Sequence, residues 1–345
     1  MARYDSASRL NLSAAITLAI LAGASPVGLS ANAAEMQRLR VSMATKSSAL
    51  YAPYLIAIEK GYYAEEGLEL VITVAGGGVS TPAQLAGDID INTSGPVALT
   101  PILRGAPLKI VYTMAVRSTD ELWSTSKDLK TLQDLKGRQI GIISRGDSAE
   151  IETKMALAKA GLPLDYVNFT ALGQATGPGL VLKSGSLPAV VIAGSFLEIA
   201  RAAGDLEKGN LVYSFFRDLP QPYSGIAVSD QFLKTDRGAV VKFMRATFKG
   251  TRFMKANRSG SIAVMSKYDT QSSQDLLGKD YDKVVSVLTP DGTISADVRL
   301  ADMKVRASII GLDESKIPPL EKAYDYSIVE EANDSLNKSG WQPKS

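Results

Sequence analysis

An α/β fold of two lobes, each with a mostly parallel sheet flanked by helices, is what this sequence predicts, with a cleft between the lobes and a helical C-terminal region. Three observations carry the prediction. Strand, short loop and helix alternate twice over, before and after a polar stretch from Arg117 to Glu121. A second break, Pro220-Gln221-Pro222, precedes the apolar run Ile226-Ala227-Val228. Beyond it, from Asp236 to Asn257 and again near 272–287, 295–310 and 321–337, the apolar spacing is helical. Alternating strand and helix favours parallel sheets covered on both faces.

The elements follow in order. Leu39, Val41 and Met43 alternate with polar residues, as in a half-buried strand. Tyr51, Tyr54, Leu55 and Ile58 fall at i, i+3, i+4 and i+7, one helix face whose N-cap is expected at Ser47 or Ser48. Gly61 ends that helix in a left-handed conformation. Tyr62 and Tyr63 are then expected to fold over its end, and Gly67 turns the chain into a strand bearing Leu68, Leu70, Ile72 and Val74. Tyr51, Tyr54, Tyr62 and Tyr63 could also wall a flat ligand, although the spacing of the first two favours core packing.

The unit repeats. Gly76-Gly77-Gly78 is a turn, Ser80 or Thr81 the expected cap of a short helix with Pro82 in its first turn, and Asp88 to Ile91 a third strand. Ser94-Gly95-Pro96 opens a helix that stops at Gly105, and residues 108–116 form a long apolar strand. In the second region Gln139 to Ile143 is a strand, followed by the loop Ser144 to Ser148. A helix carrying Ile151, Met155 and Ala158 then runs to Gly161. Val167 to Leu172, the loop Gly173 to Gly177, and Leu180 to Lys183 repeat strand, loop and helix. Ala189 to Ala193 is a buried strand, and Gly194-Ser195 opens the helix after it.

Composition narrows the function. The chain has 345 residues, 45% apolar and 21% charged, enough for about two globular domains. Arg3 and Arg9 precede an apolar stretch from Leu10 through Ala24, and Ala31-Asn32-Ala33 is a small-x-small site, so cleavage after Ala33 and export are expected. A membrane anchor would need ~20 apolar residues, and Asn11, Gly23 and Pro26 interrupt this segment. Loss of Arg3, Arg9 and Asp5 turns the formal charge of +2 into +1, which argues against a nucleic-acid partner. No cysteine exists to carry a lipid, so a freely diffusing periplasmic protein is expected. Nor is there any histidine, which eliminates Ser-His-Asp and Cys-His nucleophiles, His-ligated zinc and a His general base. No cofactor or metal is expected.

In open parallel sheets, ligands sit beyond the carboxyl ends of strands, where helices begin. Serine, threonine or glycine at a helix start leaves backbone N–H groups pointing outward, with a positive dipole end behind them. Thr45, Ser47, Ser48, Gly78, Ser80, Ser94, Ser148 and Ser195 take such positions; the alternative for each serine is a simple cap worth about 1 kcal/mol to its helix. Lys46 and Arg145 sit one in each predicted lobe and could meet a ligand's negative charge, Arg in bidentate fashion. If Asp147 neutralises Arg145, a neutral or zwitterionic solute fits instead. Gln174 and Thr176 are candidate polar contacts, and Arg117 a hinge or cleft residue. Ser124-Thr125-Ser126-Lys127 and Arg145-Gly146-Asp147 are chance matches to short motifs, and no phosphate-binding loop is present.

Lys60-Gly61-Tyr62-Tyr63, Glu66-Gly67-Leu68, Gly76-Gly77-Gly78 and Ala83-Gln84-Leu85-Ala86-Gly87-Asp88-Ile89-Asp90 resemble, in that order, an N-terminal signature of a known family. Further on, Asp134-Leu135-Lys136-Gly137-Arg138-Gln139-Ile140-Gly141, Ser144 to Ser148 and Ala160-Gly161-Leu162 keep its order and spacing. The family is that of periplasmic solute-binding proteins of ABC importers, of the nitrate, sulfonate and taurine binding type that also includes thiamin-pyrimidine binders. The likeness covers roughly residues 39–230. One departure lies at Gly185-Ser186-Leu187-Pro188-Ala189, where the family commonly has Gly-x-Val-Asp-Ala.

The resemblance implies the type II periplasmic binding fold. Residues 1–33 would be the signal peptide, 34–117 and 224–345 one discontinuous lobe, and 118–223 the other. It also implies a protein without enzymatic activity that closes on a small solute and presents it to the permease of an ABC importer. The substrate does not carry over, because the cleft loops vary with ligand; the helix starts favour a small organic, anionic, sulfonate- or carboxylate-like solute, with a nitrate-like ion and a pyrimidine left open, and a monomer is expected. A ligand-sensing receptor partner would read the same closed shape. Thiamin-pyrimidine synthases share the fold, but their pattern depends on histidine and a cysteine-rich motif, both absent here.

Overall fold

The computed structural model describes residues 36–46, 49–173 and 177–343, apart from the side chain of Ser195. The predicted signal segment, Ser47, Ser48, Gln174 and Thr176 lie outside them. Strands, in chain order, are β1 (Gln37–Met43), β2 (Leu68–Val74), β3 (Ile91–Asn92), β4 (Leu108–Arg117), β5 (Glu121–Ser124), β6 (Gln139–Ile142), β7 (Asn168–Ala171), β8 (Ala189–Ile192), β9 (Leu211–Ser214) and β10 (Pro220–Ser229). Helices among them are α1 (Ala52–Glu59), α2 (Tyr62–Glu65), α3 (Gly77–Leu85), α4 (Leu99–Leu103), α5 (Ser148–Lys159), α6 (Gly177–Ser184), α7 (Gly194–Ala202) and α8 (Phe215–Asp218). The C-terminal region is helical: α9 (Asp230–Ala256), α10 (Arg258–Tyr268), α11 (Gln274–Val285), α12 (Ala296–Ile309), α13 (Leu320–Ala323) and α14 (Ser327–Lys338). Among the described residues no helix is long and apolar enough to cross a membrane.

Two five-stranded sheets result, in the orders β2-β1-β3-β10-β4 and β7-β6-β8-β5-β9. Each is mixed. The pairs β1–β2, β1–β3, β6–β7 and β6–β8 are parallel, whereas β10 runs antiparallel to β3 and β4, and β5 antiparallel to β8 and β9. Parallel neighbours require a crossover, usually a helix. The chain passes from β4 to β5 through three residues, and from β9 to β10 through the four-residue α8, so those strands join their sheets antiparallel. Pro220-Gln221-Pro222 therefore starts β10 rather than interrupting the pattern, with register shifts on either side of Ser224. A proline is tolerated at the first residue of a strand and at bulges.

Packing follows the two-residue period of the strands. On β8, Ala189 and Val191 enter one apolar cluster with Leu122, Ile140, Ile142 and Leu157, while Val190 and Ile192 enter another with Val181, Leu182 and Leu197. Both faces of the second sheet are thus covered. A third and larger cluster joins Leu39, Val41 and Met43 of β1 to α1, α9, α11 and α14. On the helix after β6, Ile151 and Met155 are buried as the spacing predicts, but Ala158 is exposed.

The run from Glu59 to Leu70 shows how local chemistry becomes tertiary structure. Gly61 (φ 73°) and Gly67 (φ 72°) both adopt left-handed conformations, ending α1 and redirecting the chain into β2. Tyr62 and Tyr63 do not fold over the end of α1. They begin α2 and pack on the C-terminal region: Tyr63 lies 4.9 Å from the Phe243 ring and its hydroxyl is 2.9 Å from Thr247 Oγ1, while Trp341 meets Tyr62 edge-on at 5.4 Å. Glu66 accepts from Arg245 Nε at 2.7 Å and lies 3.2 Å from Lys249.

The expected serine caps are largely replaced. A 3-10 turn, Ala49–Tyr51, precedes α1, whose N-cap is Tyr51 rather than Ser47 or Ser48. Gly76 is the N-cap of α3, which places Ser80 and Thr81 inside the helix. Asp147 caps α5 by accepting from the Glu150 amide at 3.0 Å, so Ser148 is its first helical residue. The N-cap of α7 is Ala193. Where the backbone enters a helix directly from a strand end, glycine or alanine in an extended conformation suffices, and water or a ligand can meet the leftover amides.

Candidate functional site

A cavity of about 120 Å³ lies where both sheets end. From the first sheet come Ala44 and Thr45 beyond β1, Gly76 and Gly77 beyond β2, Thr93 and Ser94 beyond β3, and Tyr223 and Ser224 of β10. Across from them stand Ile143, Asp147 and Ser148 beyond β6, Pro178 of α6, and Ala193 and Phe196 beyond β8. Thr119 and Asp120, on the segment that crosses from β4 to β5, complete the wall. The carboxyl ends of strands, followed by helix starts, thus converge from both sides as the fold requires.

A buried hub fixes the first wall. Asn92 accepts through Oδ1 from Ser42 Oγ at 3.2 Å, Ser80 Oγ at 3.1 Å and the Ser94 amide at 3.0 Å, and donates through Nδ2 to Thr81 Oγ1 at 3.2 Å. Thr93 Oγ1 donates to the Ser42 carbonyl at 2.7 Å. Asn92 and Thr93 together thus tie the loop after β3 to β1 and α3.

The second wall is electrostatically unusual. Asp120 is buried and accepts from the Tyr223 hydroxyl at 2.8 Å, a bond that ties one crossing segment to the other. Burial pushes its carboxyl up to about 6, the Asp147 charge adds to the rise, and Tyr223 and Lys283 oppose it. Ser118 Oγ accepts from the Asp120 amide at 3.0 Å and donates to Glu152 at 3.1 Å; Gln221 also donates to Glu152, at 2.7 Å. Burial and the Asp120 charge raise the Glu152 carboxyl well above the ordinary range. Asp147 is raised by burial, but its oxygens accept from the Ser144 and Glu150 amides at 2.8 and 3.0 Å. Burial also takes the Tyr51 phenol up to about 12, so it stays protonated at neutral pH.

Of the residues singled out in the sequence, Thr45, Ser94, Asp147 and Ser148 line this cavity. Ser80 is buried against Asn92 and turned away from it. Lys46 is not among the lining residues, and Arg117 donates to the Phe216 carbonyl at 3.2 Å, beside a separate groove formed with α12. Arg145 also stays outside: it pairs with Glu150 at 3.1 Å and lies 5.4 Å from the Phe169 ring. Asp147 therefore does not neutralise Arg145; Glu150 does. Ser47, Ser48, Gln174, Thr176 and the side chain of Ser195 lie outside the described residues. Of the four tyrosines only Tyr51 reaches the cavity, and Tyr54 is core, its ring 6.3 Å from Phe243.

Gly78 plays a different part from the one expected. A Cβ there would stand 2.1 Å from the Arg145 carbonyl oxygen, so the start of α3 and the loop after β6 touch backbone to backbone. Sequence reasoning passed over Thr93, Thr119, Asp120, Phe196, Tyr223 and Ser224. Asp120 had a signal, an acid inside the polar crossing stretch; the others had none.

Comparison with known proteins agrees with this architecture. A family model described as NMT1/THI5 like matches residues 49–261. The riboflavin-binding protein RibY of Chloroflexus aurantiacus is 28% identical over 230 residues, 64% of this chain and 64% of RibY, so the match spans less than two thirds of that relative. Among solved structures, the alkanesulfonate-binding protein SsuA from Xanthomonas axonopodis pv. citri, bound to MOPS, superposes with a TM-score of 0.67 at 19% identity, covering 87% of this chain and 99% of SsuA. The desulfurization enzyme DSZB superposes with a TM-score of 0.57 at 16% identity, covering 88% of this chain and 99% of DSZB. At such identities these structures establish the fold, the periplasmic binding protein arrangement of two sheets with a cleft between. Because the family model reaches from the turn before α1 into α10, more than half of the sequence, the chain belongs to the NMT1/THI5-like family.

Proposed function

We propose that this protein captures a small organic solute in the cavity between its two sheets, outside the cytoplasmic membrane, and delivers it to an ABC importer. The observation that carries the reading is the composition of the walls, which come from strand ends of both sheets and from the crossing segments that join them. Residues 34–117 with 224–345, and residues 118–223, are the two lobes in this reading. A guest contacting both favours the closed arrangement by its contacts there. RibY and SsuA are named as binding proteins, which supports a carrier.

DSZB shares the fold; among the described residues the ionisable groups lining this cavity are two carboxylates and two tyrosines, with no histidine or cysteine nucleophile beside them. An anionic guest draws support from the helix starts at Gly77 and Gly194, while Lys46 and Arg145 lend it none. A volume of about 120 Å³ is somewhat below the ~150 Å³ of an engineered cavity that takes up benzene, so the guest is compact or the lobes part further to admit it. Export rests on the predicted cleavage after Ala33, and a monomer is the working state.

The test is a thermal-shift screen of the purified protein against a broad metabolite panel, with small-angle scattering on each hit. A true ligand at about 100 times its dissociation constant adds ~2.7 kcal/mol of stability, and closure should reduce the radius of gyration. If no compound moves either quantity, the carrier reading fails. Cell fractionation should find the protein in the periplasm; recovery from the cytoplasm would refute export.

A further inference from the structure

The polar lining of the cavity is lopsided. Asp120 and Asp147 contribute carboxylates, and among the described residues no lysine or arginine lines the space. Asp147 is already satisfied by two backbone amides. Asp120 is different: it meets only the hydroxyls of Tyr223, at 2.8 Å, and Ser118, and it forms no ion pair among the described residues. Lys283, a cation whose charge reaches it, is committed elsewhere, donating to the Thr119 carbonyl at 3.0 Å and lying 3.7 Å from Glu121. A buried carboxylate without a paired cation is costly, and a cationic guest would offset that cost.

A second observation points the same way. Ser224 is 3% exposed, lines the cavity, and among the described residues its Oγ has no hydrogen-bond partner. The register shifts on either side of Ser224 explain how Tyr223 and Ser224, neighbours on one strand, both reach the cavity. A buried hydroxyl left unmet is unfavourable, so an occupant with polar atoms at this end satisfies it.

Taking the solute-binding reading as given, we propose that Asp120 sets specificity and that the solute presents a protonated nitrogen to it, with Ser224 Oγ meeting the same polar end. The helix starts of α3 and α7 favour negative charge and accommodate acceptor groups at the far end of the guest. The Asp120 pole discriminates against a solute that is negative throughout. Because Asp120 and Tyr223 belong to the two crossing segments, the nitrogen would engage the residues about which the lobes turn.

The probes are n-butylamine, n-butanol and butane-1-sulfonate, matched in chain length and different in charge, tested by thermal shift and calorimetry on the wild type, Asp120→Asn and Ser224→Ala. The amine is expected to bind the wild type, with its dissociation constant weakened about tenfold to a hundredfold in Asp120→Asn and about threefold to tenfold in Ser224→Ala. Sulfonate binding, if present, should not weaken in Asp120→Asn. Preference of the wild type for the sulfonate, or an amine affinity equal in wild type and Asp120→Asn, overturns the inference. So does silence from all three probes, but the carrier reading falls with it only if the wider metabolite panel is silent too.

Discussion

Asp280, on α11, offers a test of how burial sets the pH dependence of this fold. Its side chain is almost wholly buried; Oδ2 accepts from the Ala49 amide at 3.2 Å, at the turn that precedes α1, and Oδ1 has no partner among the described residues. Burial raises the carboxyl from 3.8 to about 6, although the Ala49 amide and Lys283 pull it down. The folded protein therefore holds this proton more tightly than the unfolded chain does. The resulting stability is present in full below about pH 4 and is lost as the pH rises through about 6. At about 1.4 kcal/mol per pH unit, that loss amounts to ~3 kcal/mol. Asp280→Asn keeps the shape and the acceptor for Ala49 but cannot titrate. Urea unfolding of both proteins between about pH 4 and pH 7.5 should show the variant gaining roughly 3 kcal/mol on the wild type across that range. Other groups titrate alike in both and cancel in the difference. A stability difference that stays flat with pH refutes the burial argument.

Two further outcomes follow from the site. Gly78→Ala places a methyl 2.1 Å from the Arg145 carbonyl, so the start of α3 and the loop after β6 must move apart; in the two-lobe reading proposed above, that opposes closure. With an overpacking cost of about 1–3 kcal/mol, calorimetry should find ligand affinity weakened about tenfold or more, and scattering should show a liganded protein that stays extended. Asn92→Ala strands the hydroxyls of Ser42 and Ser80 and the amide of Ser94. Urea unfolding should register a loss of roughly 2–4 kcal/mol.

Much of the scaffold was legible because its signals are local. The alternation of Leu39, Val41 and Met43, the spacing of Tyr54, Leu55 and Ile58, and the left-handed Gly61 and Gly67 each act within a few residues, and β1, α1 and β2 formed where they pointed. Helix starts were harder. A serine near a strand end looks like a cap, but Gly76 and Ala193 held those positions through backbone conformation alone. The antiparallel strands β5, β9 and β10 were obscured because the strands they pair with lie far away in sequence, while the chain neighbour across each short connection belongs to the other sheet.

For the site, the loops were legible and the residues less so. Thr45, Ser94, Asp147 and Ser148 line the cavity because strand ends must face it. Arg145 was a candidate for its charge and its place in the loop after β6, with a solvated surface cation as the alternative; Glu150, at the start of α5, pairs with it outside the cavity. Tyr223 and Ser224 were invisible, since a register shift within β10 decides which of its side chains turn inward.

The large apolar cluster draws Leu39 and Tyr54 together with Phe243, Val329 and Leu336, and Trp341 seats itself on Tyr62. Ribosomes deliver these partners at opposite ends of synthesis. The apolar cluster on the first sheet therefore remains unfinished until almost the whole chain has emerged, and its contacts span long sequence distances, a topology associated with slow folding. A nascent chain so arranged can complete its second sheet first, while Leu39 and Tyr54 of the first wait for the last helices to cover them.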